Sequence, residues 1–249
     1  MIGSLLAADG ADNVIEWFTD RAARANDGAI TEQAWLTVWH SAVAVLIVVV
    51  VTVPVAAVLA HHRKGELTAA FFVSIGRAIP TVAVVGMAVI VSLRNGFGFE
   101  PWPIIIALVL LGIPPAFANT YAAVRGVDEG AVSAAVAMGG THSNVILRVE
   151  LPLALPVILA GIRTATVQIV ATEPLGAFFG GEGLGAYLRQ GLTTREFSQV
   201  QAGALLVTAV AVGAELLWAA MGRIAVPAGI RRTAPRRRRW AERKPAPAT

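Results

Sequence analysis

The chain has 249 residues, 56% of them hydrophobic and only 14% charged, with a mean hydropathy of +0.67. That balance excludes an ordinary soluble domain and predicts a polytopic membrane protein. The net charge is +4 and there is no cysteine, which excludes disulfide frameworks, thiolate metal sites and cysteine nucleophiles.

Residues 1–33 hold six acids against two arginines and lack a long apolar core. A signal peptide starts with positive charge, so this segment reads as an acidic, partly helical extracytoplasmic leader. Five segments then reach the ~20 apolar residues that a spanning helix needs: 34–60, 69–93, 102–124, 153–173 and 200–221. The predicted fold class is all-α, with about five transmembrane helices making a membrane domain over 34–222. The tail 223–249 carries nine Lys and Arg against one acid, Glu242, and the loop "HHRKGE" (61–66) carries Arg63 and Lys64. Short basic loops stay in the cytoplasm. An odd number of spans therefore puts the N-terminus outside, the C-terminus inside and residues 125–151 in the cytoplasm. The tail's arginines fit the anionic cytoplasmic leaflet, and no nucleic-acid-binding module accompanies them.

Within the spans, ionisable groups are costly and usually face a partner or a cavity. Arg77 lies about two turns into the second span, just before "AIPT", and Glu173 closes the fourth. These two are expected to line a pathway or to pair with each other. Arg163 and Glu215 are expected to snorkel to the interface. Prolines recur at Pro54, Pro80, Pro114, Pro115, Pro152, Pro156 and Pro174, each removing a backbone donor and favouring a kink. With the polar Asn119 and Thr120, this makes Arg77, Pro80, Asn119, Thr120 and Glu173 the pathway candidates.

No enzyme site emerges. The only lysines are Lys64 and Lys244, and neither ends a phosphate-cradling glycine loop. The histidines, His40, His61, His62 and His142, show no metal-binding spacing; His61 and His62 read as interfacial residues at a helix end. The run "GGEGLGA" (180–186) lacks the strand–turn–helix setting of a dinucleotide site. It is expected to be a surface or re-entrant turn after the fourth span, and irregular backbone at that depth hints at a translocation path.

The loop before the fourth span carries the sharpest pattern. "DEGAVSAAVAMGG" (128–140) has acids at its front and a glycine pair at its end, the signs of a short bounded helix. Val132, Ala135 and Val136 share one face. Thr141 is a fitting N-cap for a second short helix, expected to end before "ELP", with Pro152 opening the fourth span. Such a helix suits either a partner's groove or the lipid surface.

Here the sequence resembles the inner-membrane permeases of binding-protein-dependent ABC importers. Their cytoplasmic signature runs Glu-Ala-Ala, three residues, Gly, nine residues, Ile, one residue, Leu-Pro. In this chain "SAA" (133–135), Gly139, Val149 and "LP" (151–152) keep that spacing without a gap, with Ser133 in place of the acid and Val149 in place of isoleucine. The stretches "RAIPTVAVVGM", "PPAFANTYAAVRGVDEG", "VELPLALPVILAGIRTATV" and "GGEGLGAYLRQGL" are similar to the osmoprotectant branch, the ProW- and ProZ-type permeases for glycine betaine, carnitine, choline or proline. Arg77 departs from that branch, which more often has a neutral polar residue there.

The resemblance implies a MetI-like permease fold in the cytoplasmic membrane and no catalytic role for this chain. It implies two permease chains, identical or sister, two copies of an ATP-binding subunit that hold the ATP and Mg²⁺, and an extracytoplasmic substrate-binding protein. It assigns ATPase coupling to Ser133, Ala134, Ala135, Gly139, Val149, Leu151 and Pro152. Gly139 is expected to matter because a side chain would block the turn between the two short helices. Competing expectations are a permease for methionine, a sulfonate or a phosphonate, and, in a different class, an autonomous channel or secondary transporter.

Overall fold

A computed structural model describes residues 14–15, 17–19, 30–63, 80–99 and 101–225. All regular structure among them is helical. Helix α1 spans Ile30–His61, α2 Thr81–Arg94 and α3 Trp102–Arg125. Two short helices follow, α4 over Glu129–Ala137 and α5 over His142–Val145. A π turn, Ile146–Glu150, then leads into α6, Leu151–Thr172, and a 3₁₀ turn covers Glu173–Phe179. Helix α7 is Gly185–Thr194 and α8 is Phe197–Ala225.

Among the described residues, four stretches are long and apolar enough to cross a membrane: Ile30–His61, Trp102–Arg125, His142–Phe179 and Phe197–Ala225. They coincide with the first, third, fourth and fifth predicted spans. Of the second, only the part from Pro80 is described, as the 14-residue α2. Arg77 lies outside the described residues, as do most of the leader and the tail from residue 226.

Helix α3 packs between α1 and α6. At Gly112 a Cβ would lie 2.8 Å from Ile169 and 3.0 Å from Val48, so the three helices meet where only hydrogen fits. Helices in lipid gain little from burying apolar surface against each other, and small residues that allow close approach supply the packing. Ala44, Ala107, Ala116 and Ala165 surround this point, and a second cluster of Ala56, Phe117, Ala154 and Ile158 sits nearer the α4–α5 end. Helices α1 and α3 both run toward that end, whereas α6 runs away from it. Helix α8 packs on α6 and α7 and buries only Gln199, Ala202 and Gly203. Its exposed Leu205, Val212, Leu216 and Leu217 form a face that in a membrane meets lipid or another chain.

The fourth span does not open with a helix break before "ELP" as its sequence suggests. The chain is helical from His142 onward, and the π turn carries it past Pro152. Pro152 has no N–H for the Arg148 carbonyl, which would disrupt an α-helical ladder. One bond longer than α-helical spacing, from the Leu151 N–H to the Ile146 carbonyl, re-registers the turn instead.

Candidate functional site

The loop between α3 and α6 is fixed by its own backbone chemistry. The Asp128 carboxylate accepts the Ala131 N–H at 3.0 Å and starts α4. At the other end the Gly140 N–H bonds the Ala135 carbonyl at 3.0 Å and the Gly139 N–H bonds the Val136 carbonyl at 2.9 Å, a Schellman closure. The Thr141 hydroxyl accepts the Asn144 N–H at 3.4 Å and starts α5. The chain can make that closure because Gly139 has φ +86°, a conformation that strains residues with a side chain.

The turn is therefore constrained at Gly139 in a different way from the expected one. A Cβ there would meet no atom within 4 Å, so nothing blocks the turn sterically and the constraint is conformational. At Gly140, by contrast, a Cβ would lie 2.7 Å from the Ala135 carbonyl oxygen.

No residue of α4 is buried. Ser133, Ala134 and Gly139 are exposed, and Val136 and Met138 extend an apolar patch at 52% and 83% exposure. Val145 and Ile146 are buried and anchor the loop's second half to the bundle. Val149 and Leu151 are half-buried and Pro152 is exposed at the junction. The signature residues thus divide into an exposed helix and the segment that joins it to α6.

Two polar nodes flank α6, one at each end, and both draw on α1. At the loop end, the His61 Nδ1 lies 2.9 Å from Glu150 Oε2 and its Nε2 lies 2.9 Å from His142 Nδ1. The ring of His62 stacks edge-on to His61 and tilts over His142, with centroids 5.2 and 5.6 Å away. Arg63 pairs with Glu129, and a cavity of about 120 Å³ opens between them and Ser133. His61 and His62 do sit at a helix end, but His61 is bonded into the bundle rather than resting at a lipid interface. Among the described residues, no group of three or more His, Asp and Glu side chains is placed to hold a metal ion.

At the opposite end, His40 Nδ1 meets Glu173 Oε1 at 3.0 Å, both almost wholly buried. One turn back along α1, the Thr37 hydroxyl accepts the Leu184 N–H at 2.9 Å, and the Gln33 side-chain carbonyl accepts the Gly183 N–H at 2.6 Å. Residues 180–184 of the glycine-rich run form a mostly buried turn that α1 side chains hold down, and Gly185 and Ala186 already open α7. Gly183 has φ +97°, and a Cβ on it would lie 2.8 Å from Thr37 Oγ1 and 2.9 Å from Glu173 Oε1.

Of the pathway candidates, Glu173 is buried against His40, and its Oε2 has no hydrogen-bond partner among the described residues. Thr120 is fully buried, also with an unpartnered hydroxyl. Asn119 donates to the Pro115 carbonyl at 2.8 Å and packs on Gly161 of α6. Pro80 is exposed at the start of α2. The described residues bring Glu173 together with α1, not with another candidate. Arg163 and Glu215 do not snorkel apart: they form an ion pair between α6 and α8. Sequence reasoning missed Gln33, Thr37, His40, Glu150 and Gly183 as site residues. The available signal was polar side chains one helical turn apart, Gln33, Thr37 and Ser41 with His40 beside them, at the front of an apolar span.

Comparison with known proteins converges on one class. Residues 52–227 match the family model "binding-protein-dependent transport system inner membrane component". The choline transport system permease protein OpuBB of Bacillus subtilis is 34% identical over 83% of this chain and 93% of its own length. The glycine betaine/carnitine/choline transport system permease protein OpuCB of the same organism is 31% identical over 82% and 92%. The osmoprotectant import permease protein OsmW of Salmonella typhimurium is 28% identical over 83% and 96%. A chain of the MetNI methionine ABC transporter, solved in inward-facing conformations, superposes with a TM-score of 0.69 over 80% of this chain and 96% of that one, at 19% identity.

Proposed function

Since the chain belongs to the binding-protein-dependent transport system inner membrane component family, we propose that it is the permease subunit of an ATP-driven importer of compatible solutes such as glycine betaine, carnitine, choline or proline. The cargo class rests on the relatives named for choline, carnitine and glycine betaine. ATP and Mg²⁺ bind two copies of a partner ATPase, a second permease chain, identical or sister, completes the pore, and an extracytoplasmic binding protein delivers the solute.

The observation that supports this most is α4: a helix capped at both ends, buried nowhere, and joined through a continuous helix to a spanning segment. A helix with no buried residue, tied back to α1 only through the exposed Arg63–Glu129 pair, leaves its outer face for a groove on another chain. Closure of the ATPases pushes on Ser133, Ala134, Ala135 and Gly139. The displacement passes Val149, Leu151 and Pro152 into α6, which rocks against α1 and α3 to expose the path to either side in turn. In this reading the α4–α5 end of the bundle is cytoplasmic, and Arg77, Pro80, Asn119, Thr120 and Glu173 border the path.

The test is purification in mild detergent followed by reconstitution. An ATPase is expected to co-purify, and labelled choline or glycine betaine to enter proteoliposomes only with ATP and binding protein. Gly139→Asp is expected to insert normally and abolish that uptake. Uptake of methionine instead would reassign the cargo; uptake without an ATPase would reassign the class to an autonomous transporter.

A further inference from the structure

Arg163 of α6 and Glu215 of α8 form an ion pair that the proposed path does not use. At 1.5 Å per residue, Arg163 stands about 20 Å along α6 from Glu150 and about 15 Å from Glu173. The pair therefore lies near the middle of a ~30 Å hydrocarbon core, too deep for the side chains to snorkel out. Yet 42% of the Arg163 side chain and 37% of the Glu215 side chain are exposed. A charged group at mid-membrane faces protein or a water-filled cavity rather than acyl chains, so water or a second chain stands against this face.

The surroundings favour water. Val167, Ala171 and Pro174 follow Arg163 along one face of α6. With Thr208 and Val212 of α8 they wall a cavity of about 480 Å³ that reaches Glu215. It runs from the 3₁₀ turn beside Glu173 to the middle of the span. On the adjoining face of α6, Thr164 and Gln168 are exposed one turn apart, and the Gln168 amide is a group that lipid cannot satisfy. Mostly apolar walls with a few convergent polar groups are the make-up of a small-molecule site. We propose that this cavity is a transit site for a small zwitterion, in which Arg163 holds the carboxylate and Glu215 the quaternary ammonium. The inference rests on the permease reading and adds where in the chain the solute is recognised.

The ion pair has capacity for such a ligand. Its bond uses Arg163 Nη2 and Glu215 Oε1, whereas a guanidinium carries five N–H donors and a carboxylate two oxygens. A zwitterion laid antiparallel across the pair sets four charges in alternating order, each beside two of opposite sign. That attraction is stronger where protein and lipid exclude bulk water. A solute with one charge is attracted by one member of the pair and repelled by the other, so choline gains less here than glycine betaine or carnitine. The methyl groups that cover a quaternary ammonium rest against Val167, Ala171 and Val212 instead of water.

The chain has no cysteine, so Thr208→Cys gives it a single thiol on the cavity wall. The complete complex is placed in proteoliposomes with a membrane-impermeant methanethiosulfonate bearing a trimethylammonium group on both sides, and the label on this chain is read. The thiolate is the reacting species, so a thiol facing lipid stays unlabelled. Labelling is expected, slowed severalfold by glycine betaine and less by choline. Glu215→Gln and Arg163→Gln are each expected to remove that protection and to lower ATP-driven glycine betaine uptake roughly tenfold, the size of one lost hydrogen bond to a charged group. No labelling of Thr208→Cys puts the face against lipid or a dry interface with a second copy and overturns the inference, as does labelling that glycine betaine leaves unchanged. A pair that only clamps α6 to α8 tolerates an apolar replacement, so wild-type glycine betaine uptake by the double variant Arg163→Leu with Glu215→Leu also overturns it. If the glutamine variants fail to insert, the Thr208→Cys labelling decides alone. Absence of ATP-driven uptake of any solute by the wild-type complex would instead sink the permease reading, so the two failures are separable.

Discussion

His40 and Glu173 meet at 3.0 Å with 2% and 1% of their side chains exposed, while at the far end of the same two helices His61 and Glu150 meet at 2.9 Å beside the exposed rings of His62 and His142. The chemical pair is the same, and so are the helices it joins. Helix α6 has 22 residues, so the two pairs stand about 33 Å apart, close to the ~30 Å hydrocarbon core of a bilayer. What differs is access. His40 is walled in by α1, α6 and the 180–184 turn, and a proton reaching it would have to cross the packed end of the bundle. His61 is connected through its second nitrogen to a histidine in water. Both pairs clamp α1 to the ends of α6, the inner one sealed within the bundle and the rim one continuing into the exposed loop.

The largest expected effect breaks the insulated pair. His40→Ala leaves a buried carboxylate without its partner, and removing one member of a buried pair costs roughly 3–5 kcal/mol. It is expected to lower the unfolding midpoint in detergent well beyond His61→Ala. An equal loss from both would remove the distinction drawn between the two ends. The double substitution His40→Leu with Glu173→Leu sharpens the comparison, because an apolar replacement of the whole pair can be near neutral for stability. Normal stability without uptake in that variant would assign the pair to transport as well as to clamping.

A smaller effect is expected from Gly183→Ala. The residue would be held at φ +97° with its Cβ 2.8 Å from Thr37 Oγ1 and 2.9 Å from Glu173 Oε1. Strain of this kind costs roughly 1–3 kcal/mol, and relief requires the turn to lift off α1. Faster hydrogen exchange at the Gly183 and Leu184 amides, with the α4–α5 loop unchanged, is the expected signature. Exchange that stays slow would mean that Gln33 and Thr37 do not hold the turn.

These two ends were not equally legible in the sequence. The loop's short helix and both its caps are local, set by residues within one or two turns of each other, and the structure places them where the sequence does. The His40–Glu173 pair joins positions 133 apart, and His61–Glu150 joins positions 89 apart; no periodicity encodes which distant polar side chains meet. Glu173 could be recognised as needing a partner, because a carboxylate in a span must find one, but not which partner. The π turn was illegible for another reason. A proline after "VE" signals a break on local grounds, and the tertiary anchoring of Val145 and Ile146 keeps the chain helical instead. At Gly139 the sequence suggests a blocked turn, while the open space around its α-carbon is visible only in three dimensions.

The smallest expected effect separates the rim histidines from the ion pair next to them. Arg63 and Glu129 also link α1 to the loop, but their side chains are 57% and 74% exposed. An exposed pair contributes at most about 1 kcal/mol and is screened by salt. Arg63→Ala is therefore expected to change ATP-driven uptake less than twofold, and adding salt to the wild type is expected to do no more. His61 differs because its side chain is almost wholly buried and one of its two bonds is to a buried carboxylate, where water competes poorly. If Arg63→Ala reproduced the loss seen in His61→Ala, the link between α1 and the loop would be the surface charge pair and not the imidazole.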